Sequence, residues 1–250
     1  MARTLLITPR KMKNHRAMSK QYISASKIAQ FLYCPFTFEL AAAGYEPIEP
    51  YLPAVATGTA FHTAFRYMYF GNSPEGAAEA AIAVTEITTG HTIDSKEREA
   101  LLRRLQALPK WLLEADDVEV RLEKEIPGTE IVVTGYMDAV VKDKVIDLKA
   151  VSRMKYELPP TYQIQAQIYM YMADKGQASF IMLGPKGEVA EFEIDRMPSD
   201  VVGEMLEYFA RSMERDFRPP SGLTNFACGK CAFQYVCPFY KLLKQTPKRR

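Results

Sequence analysis

No apolar run in this 250-residue chain approaches the roughly 20 residues needed to cross a bilayer, so no membrane-spanning helix and no membrane partner is expected. An excess of one charge is also lacking. Thirty-two Lys and Arg stand against 30 Asp and Glu, a net charge of +2, so any strongly charged groove has to be local. No internal repeat and no low-complexity tract occurs. The G-x-x-x-x-G-K-[ST] pattern is absent, which excludes a P-loop nucleotide site. The opening residues 1–20 carry Arg3, Arg10, Lys11, Lys13, Arg16 and Lys20 and no acid. They lack the continuous apolar core and small-residue cleavage site of a secretory signal. They read as a frayed basic arm, with a cytoplasmic, reducing compartment expected. Cysteine is scarce, with four in all, and in that compartment four thiols are ligands sooner than disulfides.

What is present is ordinary globular material: 48% hydrophobic and 25% charged residues, enough for one large domain or one domain with an insertion. Ser24 and Ser26 precede the spacing Ile28, Phe31, Leu32, so a helix is expected to start there and to be disturbed or restarted at Cys34-Pro35. After a proline-rich loop, helices are expected from Gly58 to Tyr69 and from Glu75 to Thr88. Ser95 is expected to cap a longer one reaching about Glu114. The pattern then changes. Val118, Val120 and Leu122 alternate with Glu119, Arg121 and Glu123, a strand signal, and Ile131 to Val141 and Lys144 to Ala150 read as further strands. Tyr162 to Met172 has helical character, Ala178 to Leu183 and Val189 to Ile194 form a strand pair, and Ser199 starts a last helix to about Arg215. A helical N-terminal third followed by strands interleaved with helices indicates a mixed α/β core.

The chemistry concentrates in Gly135-Tyr136-Met137-Asp138 and Val145-Ile146-Asp147-Leu148-Lys149. Asp147 and Lys149 are two apart, so on a strand they share a face while Leu148 turns into the core. Asp138 lies on the neighbouring strand. Hard carboxylate oxygens suit Mg²⁺ or Mn²⁺, and a lysine beside them stabilises charge developing on a phosphate. Taken alone, a D-x-K on a strand is more often a solvated face. His62 alone is more often an ordinary histidine, and the Gln163-Ile164-Gln165-Ala166-Gln167-Ile168-Tyr169 stretch an amphipathic helix in which Gln165 and Tyr169 share one face.

Taken in order, these segments resemble the RecB-like branch of the PD-(D/E)XK nuclease superfamily. Ser24 to Ile28 through Cys34-Pro35 looks like its N-terminal segment and Gly58 to His62 its histidine motif. Gly135 to Asp138 and Asp147-Leu148-Lys149 look like the two acidic motifs, and Gln165 to Tyr169 the final helix motif. The resemblance implies His62, Asp138, Asp147 and the carbonyl of Leu148 as Mg²⁺ or Mn²⁺ ligands. It makes Lys149 the catalytic lysine, with Gln165 and Tyr169 positioning substrate or lysine. Asp147 stands where Glu is commoner.

The cysteines fall into one pattern, Cys34 and then Cys228-x2-Cys231-x5-Cys237, which by spacing admits zinc or an iron–sulfur cluster. AddB-type helicase–nuclease subunits and CRISPR-associated RecB-like exonucleases share this arrangement, and that likeness implies a structural [4Fe–4S] cluster. Phe226, Phe233, Tyr235, Phe239 and Tyr240 would shield it, the other reading being that they stack on bases of a single strand. Arg98, Arg103, Arg104 and Lys110, and the basic tail over 241–250, read first as solvated charge and second as phosphate contacts.

The expectation is therefore an α/β restriction-endonuclease-like core with a mixed central sheet flanked by helices. One nuclease domain over 21–240 would carry a helical insertion at about 58–116 and a C-terminal Fe–S tail. The implied activity is metal-dependent DNA exonuclease, on single-stranded or frayed ends, in recombination, repair or CRISPR spacer acquisition. DNA and other DNA-processing or CRISPR-adaptation proteins would be the partners. The alternative is a non-catalytic or partner-activated Fe–S DNA-binding subunit of a larger complex.

Overall fold

A computed structural model of the chain describes residues 20–48, 52–215, 218, 228 and 231–240. The basic arm (but for Lys20), the basic tail and Phe226 lie outside the described residues. Among these, six strands form one sheet: β1 (Gln21–Ser24), β2 (Asp117–Glu125), β3 (Ile131–Val141), β4 (Lys144–Ala150), β5 (Gln177–Leu183) and β6 (Val189–Asp195). Seven α-helices accompany them: α1 (Ala25–Tyr33), α2 (Phe36–Ala42), α3 (Leu52–Tyr69), α4 (Pro74–Thr89), α5 (Ser95–Gln106), α6 (Pro160–Ala173) and α7 (Ser199–Met213). No helix among the described residues is long and apolar enough to cross a membrane.

The long strand β3 organises the sheet. β2 runs antiparallel along one of its edges, pairing over Val132 to Val140. A strand has only two edges, so β1 and β4 must share the other. β1 lies parallel beside Ile131 to Thr134, and β4 antiparallel beside Ala139 to Val141. Between them the edge from Gly135 to Asp138 has no partner strand, and the sheet forks there. β5 continues parallel to β4 and β6 antiparallel to β5, giving the mixed sheet expected. Every residue of β5 after Gln177 is buried, as suits a strand covered on both faces.

Helices cover both sides. On one face α1, α6 and α7 bring Ile28, Phe31, Ile168, Met170, Leu206 and Phe209 onto Val133, Met137, Val145 and Phe180. Phe31 and Phe209 meet edge-on, with ring centroids 4.9 Å apart. On the other face Phe61, Phe65, Leu101, Leu105 and Leu112 pack on Ala139, Ile146, Leu148 and Ile181. A small third cluster joins the described tail to α2 through Phe36, Leu40 and Phe233, with Cys34, Cys231 and Cys237 packed against it. Phe36 and Phe239 stack edge-on at 5.1 Å.

Local chemistry explains most boundaries. The Ser24 hydroxyl accepts from Lys27 N at the start of α1, and α2 begins one residue after Pro35. Four expectations need correction. α3 begins at Leu52, six residues before Gly58, with Pro53 in its first turn, where a missing N–H costs nothing. Asp94, not Ser95, caps α5, in a capping box with Glu97 that satisfies both helix-end donors. That helix stops at Gln106, because Pro109 ends it and Lys110–Glu114 forms a separate 3₁₀ turn. The N-terminal third is not purely helical: β1 precedes α1, too short for a periodic signal to emerge from QYIS.

Arg104 also differs from its expected solvated position. It is 4% exposed and donates through Nε to Leu183 O at 3.2 Å and through Nη2 to Val151 O at 3.0 Å, tying α5 to the ends of β5 and β4. Burial holds its pKa below the usual guanidinium value despite the opposing charge of Glu188. Arg98 and Arg103, as expected, pair with Glu79 and Glu99 in solvent.

Candidate functional site

The fork gathers the sequence candidates from both layers. Asp138 stands at the end of the unpaired stretch of β3. Its Oδ2 accepts the Leu148 amide at 2.6 Å, and its Oδ1 lies 2.9 Å from Nδ1 of His62 on α3. A residue's N–H and C=O leave a strand on the same side, so the Leu148 carbonyl faces the same gap as its amide. On β4, Asp147 is 3% exposed, and its Oδ1 lies 2.6 Å from Lys149 Nζ. From α6, Gln165 Nε2 donates to Tyr169 Oη at 2.9 Å and stands 3.5 Å from Asp147 Oδ2. Six side chains and one carbonyl thus meet at one break in the sheet.

Three glutamines alternate along α6, and their partners separate them. Gln163 donates to Leu158 O. Gln167 donates to Asp195 O and accepts from Met197 N, holding the end of β6. Only Gln165 of the three faces the carboxylates. The ring of Tyr169 runs so close to the β3 backbone that a Cβ on Gly135 would lie under 3.0 Å from it. Gly135 is therefore what lets α6 lie against the fork.

The electrostatics are those of buried charges in contact. Burial pushes the Asp147 carboxyl up to about 6, with Asp138 adding repulsion and Lys149 opposing. Burial would also raise Asp138, but His62, Lys149 and the Leu148 amide hold it below the carboxylate range. His62 is raised, because Asp138 outweighs the burial that disfavours its cation. Burial disfavours the Lys149 ammonium too, but Asp147 and Asp138 outweigh it and hold that group above its ordinary value. Tyr169 is raised, first by burial and then by Asp147.

Sequence reasoning passed over two neighbours of the site. Lys149 Nζ lies 5.3 Å from the ring of Tyr162, which stacks on Phe180. Opposite Asp138, at the one position where the β2–β3 ladder lacks a pair, Glu119 adopts a left-handed backbone with φ 53°. Such a conformation costs a non-glycine residue about 1–3 kcal/mol. Glu119 Oε2 lies 3.0 Å from Arg66 Nη1 in an exposed ion pair, a contact that contributes only about 0–1 kcal/mol.

A family model describing the PD-(D/E)XK nuclease superfamily matches residues 22–238, nearly the whole chain. The chain belongs to the PD-(D/E)XK nuclease superfamily. The forked mixed sheet is thus its core, and nuclease-type activity in general follows from membership. Among solved structures, a putative exonuclease from Eubacterium rectale is 15% identical, covering 82% of this chain and 86% of that one, with a TM-score of 0.53; at that identity the likeness shows the fold alone. The structure of SSO0001 is 19% identical over 84% of this chain and 96% of that one, with a TM-score of 0.42. A phage-related exonuclease from Haemophilus somnus is 14% identical over 79% and 93%, with a TM-score of 0.38. No curated protein matches.

The residues of this PD-(D/E)XK site suit a hard cation in one definite respect. Asp147 Oδ1 is buried and is held by the Lys149 ammonium alone, 2.6 Å away, so it keeps lone-pair capacity for a cation. The site is nonetheless closed on itself. Among the described residues no group of three or more His, Cys, Asp or Glu side chains is arranged to hold an ion. His62 Nδ1 and Asp138 Oδ1 contact each other at 2.9 Å, and a proton between them has to leave before both hold one cation.

The four cysteines are unpaired and half-buried. Cys34, Cys228 and Cys231 line a cavity of about 1010 Å³ whose walls also include Tyr162 and Gln165. Burial and the neighbouring sulfurs raise the thiols of Cys228 and Cys231. A four-iron cluster is wider than an ion, so its thiolates need not converge on one point. Phe233 is buried in the small cluster beside them, whereas Tyr235 turns its hydroxyl to Glu46 O at 2.7 Å.

Proposed function

We propose that this chain is a divalent-metal-dependent DNA exonuclease acting on single-stranded or frayed ends. The observation that carries the reading is the convergence of two carboxylates, half-buried Asp138 and buried Asp147, with His62, Lys149 and the Leu148 carbonyl at the fork in the sheet. Asp138, Asp147, His62 and the Leu148 carbonyl would hold Mg²⁺ or Mn²⁺. The cation supplies a Lewis acid for a phosphate oxygen and lowers the pKa of water. The chain's own residues supply the rest. Lys149, fixed in its charged form by two carboxylates, presents a cation where charge builds on phosphorus. Gln165 and Tyr169 hold Asp147 and thereby the lysine.

The single-strand preference draws support from the large cavity. It opens beside Tyr162 and Gln165 and is walled by Tyr33, Lys155 and Tyr156, the last 95% exposed. Lys155 and Lys149 flank the ring of Tyr162 at 5.5 and 5.3 Å. Aromatic faces alternating with cations suit an unpaired strand, whose bases stack on the rings while its phosphates meet the ammonium groups. At about 1010 Å³ the space reaches the upper end of the roughly 300–1,000 Å³ typical of small-molecule sites. Cys34, Cys228, Cys231 and Cys237 would hold a [4Fe–4S] cluster with a structural role, tying α2 to the tail. Recombination, repair and CRISPR spacer acquisition are the processes that the family likeness offers for such an enzyme.

A second reading has its own observation. Internal ion pairs close the site, and no ion-holding set is preformed among the described residues. This favours a nuclease that opens only on a partner or on DNA. End-labelled linear and closed circular single-stranded DNA separate the readings in Mn²⁺. Loss of the linear substrate alone supports an exonuclease. DNA bound but uncut supports the partner-activated form.

A further inference from the structure

Arg66 and Glu119 are placed by independent elements at the mouth of the fork. Arg66 lies four residues after His62 on α3, so the two project from one face of the helix, one turn apart. His62 itself touches Asp138. Glu119 stands opposite Asp138 in the β2–β3 register, where the ladder pair is missing. The ion pair between them joins the two walls of the site, with about half of the Arg66 side chain in solvent (51%). The left-handed backbone of Glu119 costs more than an exposed ion pair returns, so stability does not account for the arrangement. A guanidinium binds a phosphate through two parallel N–H···O bonds, and a carboxylate is the protein's nearest mimic of that ligand.

We propose that Arg66 binds a backbone phosphate of the nucleic-acid substrate next to the bond at the fork, and that Glu119 occupies its guanidinium until a phosphate displaces it. This rests on the nuclease reading of the site. Glu119 thereby acts as an internal competitor. It lowers affinity for any polyanion and leaves binding to substrates whose phosphate reaches the fork.

The test is equilibrium binding of a short fluorescein-labelled single-stranded oligonucleotide to the full chain in EDTA, where cutting is absent. Arg66→Ala should weaken binding about tenfold, the effect of roughly one charge-assisted contact. It should also lower the slope of log affinity against log salt by about one. Glu119→Gln should tighten binding, a gain that misfolding cannot produce, and Arg66→Ala placed in that background should abolish the gain. Equal affinities for the wild type and both single variants overturn the proposal, as does tightening by Glu119→Gln that survives loss of Arg66. The parent reading fails separately. Absence of metal-dependent cleavage with the Arg66 effect intact removes the nuclease activity and leaves the phosphate site standing.

Discussion

Gln165 spans one turn of α6 to donate to the hydroxyl of Tyr169 at 2.9 Å, and the same nitrogen stands 3.5 Å from Asp147 Oδ2. The pair braces one oxygen of a carboxylate whose other oxygen is held by Lys149. Tyr169→Phe and Gln165→Leu should therefore each reduce metal affinity or cleavage about 10- to 100-fold, the usual cost of losing an outer hydrogen-bonding partner. Melting temperatures should change little. Metal titration of cleavage rates checks this, and unchanged rates in both variants would remove the bracing role.

Gly135→Ala tests the contact from the other side. Its new methyl group would sit under 3.0 Å from the Tyr169 ring, in a core with no room to yield. Overpacking of this kind costs about 1–3 kcal/mol. A denaturant midpoint lowered by that amount, recovered in part by Tyr169→Leu in the same chain, is expected. A neutral Gly135→Ala would show that α6 moves freely.

The fold was largely legible in the sequence, because the alternation of β2 and β6, the apolar runs of β3 to β5 and the helix caps leave strong local signals. β3 and β4 fall where the apolar pattern put them. Short or non-local features were less legible. β1 has four residues, and nothing in QYIS says that it will lie parallel to a strand more than a hundred residues on. Arg104 sits among arginines that do face solvent, and only the ends of β4 and β5 make it a buried donor. At the site, motif order named the residues, but the fork that assembles them is a property of three strands sharing β3. The closed ion pairs depend on side-chain geometry that spacing does not carry.

Metal-free stability should fall as pH rises. Asp147 and His62 have raised pKa values, so the folded protein binds their protons more tightly than the unfolded chain does. Their contribution is complete at acid pH. For Asp147 it is lost between the ordinary value of 3.8 and about 6, a difference worth about 3 kcal/mol. For His62 it is lost from the ordinary imidazole value upward. Asp138 is lowered, so its contribution is present above the carboxylate range and is lost only in stronger acid. In EDTA the melting temperature should drop from about pH 5 to about pH 8. Asp147→Asn should flatten the drop and Mn²⁺ reverse it at the higher pH. A melting temperature that rises over that range would contradict the assignment.

Arg104→Met removes two hydrogen bonds from a buried cation and leaves Val151 O without that donor. A loss of about 1–3 kcal/mol in unfolding free energy is expected, with no change in the salt dependence of DNA binding. Stability at or above wild type would show that the buried charge costs as much as its bonds return.

The cysteine proposal is settled by colour and metal content. Anaerobically purified protein should be brown, with about four irons per chain, and Cys231→Ala should lose both colour and thermal stability together. Colourless protein with stoichiometric zinc would replace the cluster with a zinc site.

The most direct test of the central claim is cleavage of an end-labelled linear single-stranded oligonucleotide by the wild type, Asp147→Asn and Lys149→Ala, each in Mn²⁺ and in EDTA. The account predicts degradation by the wild type in Mn²⁺ alone, with both variants folded, DNA-binding and inactive. Cleavage that persists in EDTA or in Asp147→Asn would contradict it.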